Sequence, residues 1–172
     1  SYFPDRVVPM LPDRLSGDLC SLKEGVPRAC IAVRMQINAK GEKISHSFHR
    51  ALMRSPASLN YEEVQAAIDG RPNLRTNPFL KSVLQPLYAA YAALLEARRV
   101  RQPLELNLPE RQITLDEVGK VQSVNFKDRL DAHRLIEEFM VLANVAASET
   151  LNEKASSLLF RVHEEPSPEK LD

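Results

Sequence analysis

The longest periodic stretch of the chain, at about 128–153, constrains its fold more than any other feature. At about 100° per residue, Ala132, Leu135, Phe139, Ala143 and Ala146 gather on one side of a helix. His133, Arg134, Glu137, Asn144 and Ser148 gather on the opposite side, and Glu138 falls on the flank. Val141 and Val145 border the polar stripe, so this helix is not simply exposed on its polar side.

A second helix is signed at both ends, at about 60–70. Asn60 can cap it, with Glu63 completing a variant of the capping box and Leu59 and Val64 at the staple positions. Gly70 followed by Pro72 ends it. Tyr61 falls in its first turn, where free backbone N–H groups and the helix dipole favour anions such as phosphate. A third helix is expected over about 78–101, with Leu80, Leu84, Leu87, Tyr91, Leu94 and Leu95 as its apolar stripe. Pro86 should kink it or mark its true start. Arg98, Arg99 and Arg101 complement its dipole; contact with RNA is the alternative role for them.

Between the helices the period changes to two. Ile31, Val33, Met35 and Ile37 alternate with Arg34 and Gln36, which is a half-buried strand. The segment from Asn38 to Gly41 is a turn, and 43–53 reads as the return strand of a hairpin. Leu104, Leu106 and Leu108 alternate again, as do Ile113 and Leu115, then Val121, Val124 and Phe126. Asp116 to Lys120 makes a hairpin turn between the last two segments. Leu158 to Val162 reads as a final strand. Residues 1–28, with Pro4, Pro9, Pro12 and Pro27, read as extended or looping chain lying against something larger. The expected class is α+β: antiparallel strands and hairpins packed with three main helices.

Composition excludes several functions. The 172 residues are 44% hydrophobic and 27% charged, an ordinary globular balance for one domain. No apolar run approaches the roughly 20 residues of a membrane span, and no signal segment opens the chain. Lys+Arg and Asp+Glu are both 23, so a uniformly basic nucleic-acid binder is disfavoured, although a local basic groove is not. Cys20 and Cys30 read as reduced, buried thiols of a cytoplasmic protein. His46 and His49 point to opposite faces of a strand, and no metal site is expected. There is no nucleophile–base arrangement and no glycine-rich phosphate loop. Acidic pairs stand at Glu62/Glu63, Glu137/Glu138 and, in a tail that reads as a loop, Glu164/Glu165; adjacent carboxylates on a helix diverge and are poor joint metal ligands. Glu137 shares its stripe with Arg134 and Asn144; a structural Glu–Arg pair and a ligand-contacting carboxylate both fit that placement.

Five stretches occur together in a telling order: Y-F-P-D-R-V-V-P-M-L-P-D-R-L-S-G-D-L-C-S-L from Tyr2 to Leu22, S-P-A-S-L-N-Y-E-E-V from Ser55 to Val64, L-N-L-P-E from Leu106 to Glu110, D-A-H-R-L-I-E-E-F-M-V-L-A-N from Asp131 to Asn144, and R-V-H-E-E-P from Arg161 to Pro166. They resemble the ribonuclease II / ribonuclease R family, within its RNB catalytic domain, in a bacterial style of spelling. The resemblance runs across essentially the whole chain, and the first and fourth stretches carry most of it.

That resemblance implies a processive 3′-to-5′ exoribonuclease releasing nucleoside 5′-monophosphates from single-stranded RNA, with Mg²⁺ held by an aspartate cluster. It implies RNA contacts by Tyr2, which stacks on bases, and by Tyr61 and Glu137, which meet the terminal nucleotides and help tell ribose from deoxyribose. Accepting a hydrogen bond from the 2′-OH is a sensible task for a carboxylate. Leu106 stands where some members place a stacking phenylalanine, and a leucine offers no π face. Gln102-Pro103 likewise replaces a Gly-Ala. The family's aspartates precede the Y-F-P motif, and its arginine-rich S-P-I-R-R-Y motif follows R-V-H-E. Residues 1–172 are therefore expected to be the central part of one catalytic domain, truncated at both ends. Such a piece has no catalytic residue of its own, binds no metal, lines the RNA channel and is inactive alone. Self-association of the fragment is expected. The alternative is a non-catalytic RNA-binding or protein-interaction module of the same family.

Overall fold

The computed structural model describes Phe3 and residues 5–101, 110–127, 129–160 and 162. Its first regular pair is an antiparallel hairpin, β1 (Pro27–Ile37) and β2 (Lys43–Arg54), joined by a turn at Gly41. Asn38 organises that turn, its Oδ1 accepting from the N–H groups of Lys40 at 2.9 Å and Glu42 at 3.0 Å. Val33, Met35 and Ile37 are half-buried, as their alternation predicts, but Ile31 is 76% exposed. Nearer the open end of the hairpin Arg28 and Cys30 are the half-buried residues instead. A strand of this length twists, so the covered face changes along it, and no strict two-residue pattern can report that.

The helix α1 (Tyr61–Ile68) follows. Gly70, at φ +88°, ends it with paired bonds, Arg71 N–H to Ala66 O at 2.8 Å and Gly70 N–H to Ala67 O at 3.2 Å. This is a left-handed glycine terminus that a side chain would strain. The expected 78–101 helix is subdivided into a short α2 (Asn77–Phe79), a π-helical stretch Leu80–Leu84, and α3 (Gln85–Arg101). Pro86 explains the division. Its ring collides with the carbonyl four residues back in α geometry, and the wider π turn before it removes the conflict. Pro86 thus stands in the first turn of α3, its true start.

The second hairpin, β3 (Glu110–Leu115) and β4 (Val121–Lys127), is antiparallel, and Asp116 Oδ1 holds its turn by accepting from Lys120 N–H at 2.8 Å and Val118 N–H at 3.0 Å. Last comes α4 (Asp131–Glu153). Both α1 and α3 pack on α4. The buried apolar residues, Ala67, Leu84, Tyr91, Leu94, Ala132, Leu135 and Ala146, come from these helices and the π-helical stretch. The class is α+β, as expected.

Three expectations fail and one lies outside the description. Cys20 is exposed and Cys30 half-buried, where both were expected to be buried. Among the described residues 158–160 and 162 there is no strand; alternating side chains do not make one without an edge to pair with. Residues 14–19 form a π-helical turn rather than extended chain, and Val7, Met10, Leu11, Leu15, Leu19 and Leu22 are exposed rather than packed. The alternation over Leu104, Leu106 and Leu108 lies outside the described residues.

Candidate nucleic-acid interface

The start of α1 meets the start of α4. Asn60 Oδ1 accepts from Glu63 N–H and Glu63 Oε1 accepts from Asn60 N–H, each at 2.8 Å. This closed capping box is the expected one, and it removes one of the N–H groups that could draw a phosphate here. The cap has taken the amide of Glu63, and Glu62 and Glu63 make the first turn acidic. The backbone bond at Asn60, first among the causes, holds Glu63 below the usual carboxylate range. What this end offers a ligand is the Tyr61 ring, 40% exposed.

The α4 helix has no side-chain cap of its own. Gln65, one turn beyond Tyr61 on α1, supplies the missing acceptor: its Oε1 takes the Ala132 N–H at 3.1 Å. That bond sets the register between the two helices and brings Tyr61 over the next residue of α4. The rings of Tyr61 and His133 stack with centroids 4.1 Å apart and planes 25° from parallel. Glu137 is one turn along from His133, on the same face. Tyr61 thus stacks on a residue one helical turn from Glu137, although the two are distant in sequence. Tyr2 and Leu106 lie outside the described residues.

Glu137 pairs with Arg129, not with its stripe companion Arg134, which lies 3.7 Å from Asp131. Both partners of the Glu137 pair are about half exposed, at 44% and 48%. The next residue, Glu138, is the structural one: it is 5% exposed and bonded to Arg98 of α3. The helical pattern places His133 on the stripe of Glu137 but gives it no role, because its partner Tyr61 comes from another helix. The available signal was its spacing of four from Glu137.

The described carboxylates do not fit a magnesium site. Among the described residues no three His, Cys, Asp or Glu side chains gather as ligands. Glu137 and Glu138 point to different partners, whereas a hard cation needs clustered oxygens. No helix among the described residues is long and apolar enough to cross a membrane.

The sequence matches the RNB domain family over residues 1–172. The chain belongs to that family. The RNB chain is 39% identical over 171 residues to Ribonuclease R of Vibrio parahaemolyticus, covering 99% of this chain and 20% of that protein. To Ribonuclease R of Escherichia coli it is 36% identical over 172 residues, covering 99% and 21%. The RNB chain thus spans about a fifth of the length of these relatives. Among solved structures it is similar to the apo form of Mycoplasma genitalium RNase R, with a TM-score of 0.88 and 27% identity over 96% of this chain and 26% of that one. The same RNase R in complex with ribose methylated single-stranded RNA also gives a TM-score of 0.88, at 27% identity over 96% of this chain and 26% of that one.

Proposed function

We propose that this chain forms part of the RNA channel of a processive 3′-to-5′ exoribonuclease. The enzyme hydrolyses single-stranded RNA to nucleoside 5′-monophosphates in the cytoplasm. Residues 1–172 are the central part of its single RNB catalytic domain, and the Mg²⁺-binding aspartates lie outside them. The observation that carries the reading is the junction of α1 and α4, with an exposed Tyr61 stacked on His133 and a half-exposed Glu137 one helical turn further along α4. Family membership and similar structures of an RNase R in complex with RNA support it.

In this reading Tyr61 touches the terminal nucleotide, and Glu137 accepts from a ribose 2′-OH. The Arg129 guanidinium is the group the ribose must share Glu137 with. Exposed ion pairs are worth about 0–1 kcal/mol, so sharing costs little. Tyr2 and Leu106 contribute a stacking and an apolar contact to the bases. Positioning lowers a barrier without supplying a nucleophile. The chain by itself is therefore inert.

Competition binding of matched RNA and DNA oligonucleotides to the full-length protein that carries this chain tests the reading. Glu137→Ala is expected to narrow the preference for RNA; an unchanged preference removes Glu137 from ribose recognition. A second assay tests the isolated chain with labelled single-stranded RNA and abundant Mg²⁺, beside a mock purification. Release of mononucleotides by the chain alone would contradict the assignment of the metal site to other segments.

A further inference from the structure

His133 is an odd residue to find beneath Tyr61. Both of its ring nitrogens are closed off from solvent and make no hydrogen bond to a described residue. Burying polar atoms without partners is unfavourable, and a leucine in the same place would bury none. What an imidazole adds over an aliphatic side chain is a flat face, and the Tyr61 ring lies on that face, 25° from parallel. Stacked rings restrict each other's tilt in a way that branched aliphatic groups do not. The Gln65–Ala132 bond fixes where the two helices meet, so it holds the backbone beneath both rings. The Tyr61 hydroxyl makes no hydrogen bond among the described residues, so no polar side-chain bond there restrains the ring beside the stack.

We infer that His133 is a positioning residue whose ring acts as a backing plate, holding Tyr61 against the terminal nucleotide of a single-stranded RNA, while its nitrogens take no part. The inference rests on the reading that Tyr61 meets that nucleotide. A Tyr61 ring free to swing would hold the scissile bond less well, and small misplacements of a substrate are costly to rate. Flatness at position 133, not hydrogen bonding and not bulk, is the property that matters.

The test is single-turnover shortening of a labelled single-stranded oligoribonucleotide by the full-length protein that carries this chain. The variants are Tyr61→Ala, His133→Leu and His133→Phe, each first shown to be folded by circular dichroism. Leucine keeps bulk and loses the flat face; phenylalanine keeps the face and loses the nitrogens. His133→Leu is expected to slow release of the terminal nucleotide about tenfold, and His133→Phe to restore most of that loss. A folded His133→Phe protein as slow as His133→Leu would overturn the inference by showing that the nitrogens are needed, and so would a His133→Leu protein at the wild-type rate. If His133→Leu does not fold, His133→Phe decides alone: a rate near wild type supports the plate and a slow one overturns it. Tyr61→Ala separates the two claims. If it is slow while His133→Leu is not, only the plate fails; if Tyr61→Ala is fast, the role of Tyr61 fails and takes the plate with it.

Discussion

Two adjacent glutamates on α4 do different work, and their surroundings explain why. Glu138 is 5% exposed and paired with Arg98, whose side chain is 28% exposed. Removing one partner of a buried pair leaves the other charge uncompensated, which costs about 3–5 kcal/mol. Glu137 and Arg129 are about half in solvent, where a pair contributes about 0–1 kcal/mol. Glu138→Ala is therefore expected to lower the urea midpoint by an amount equivalent to about 3 kcal/mol. Glu137→Ala is expected to shift it by less than about 1 kcal/mol while narrowing the preference for RNA over DNA. Equal loss of stability in both variants would show that Glu137 is also structural. A similar contrast separates the glycines. Gly41 has φ +75°, and a Cβ there would stand 2.0 Å from the Ala93 carbonyl oxygen of α3. Helix backbone cannot move aside, so Gly41→Ala combines left-handed strain with overpacking, about 3 kcal/mol in all. Gly119 has φ +80° but nothing within 4 Å, so Gly119→Ala should cost only about 1 kcal/mol. Matched denaturation curves compare the two.

The α1 helix shows what local chemistry alone can specify. Its reciprocal Asn60–Glu63 bonds need no residue from elsewhere in the chain. Asn60→Ala is expected to cost about 1 kcal/mol, read from the denaturation midpoint. The same cap carries a pH signature. Because its backbone bond to Asn60 holds Glu63 below the ordinary value of 4.5, the stabilisation is fully present above that value. It is lost as pH falls through the lowered one. Titrating Glu63 by carbon NMR should give a midpoint below 4.5, and Asn60→Ala should move it up towards the ordinary value; a midpoint at or above 4.5 would mean the cap is open in solution. The α3 helix carries the opposite case at alkaline pH. Burial first, then the Asp131 and Asp69 carboxylates, push Tyr88 up to about 12, and Tyr91 is raised as well, chiefly by burial. Stability linked to these phenols is complete below about 10 and falls as pH climbs towards about 12. Tyrosinate absorbance should therefore show two phenols ionising late, together with loss of helix; a single transition near 10 would contradict the burial.

Across the whole molecule, the helices share one small core while the hairpins leave apolar residues uncovered. Ile31, Ile44 and Leu52 on the first hairpin are 64–76% exposed, and Val121, Val124 and Phe126 on the second are 55–65% exposed. Exposed apolar surface and unpaired strand edges both favour association. Sedimentation of the isolated chain is expected to show dimers or larger species, and monomer alone at high concentration would count against this. By itself the sequence determined the elements whose signals are local: the turn of the first hairpin and the alternation next to it, the cap and the glycine terminus of α1, and a break at Pro86, as either a kink or the start of a helix. It also placed Tyr61 at a helix start and Glu137 on a polar stripe. It did not determine which glutamate is buried, because a helical wheel puts Glu138 on the flank and its partner Arg98 is 40 residues away. Nor did it show that Tyr61 stacks on His133 or that Gln65 caps α4. Those contacts exist only after α1, α3 and α4 have packed together. Helix periodicity says which residues share a face; only the packing of that face against others decides what they touch.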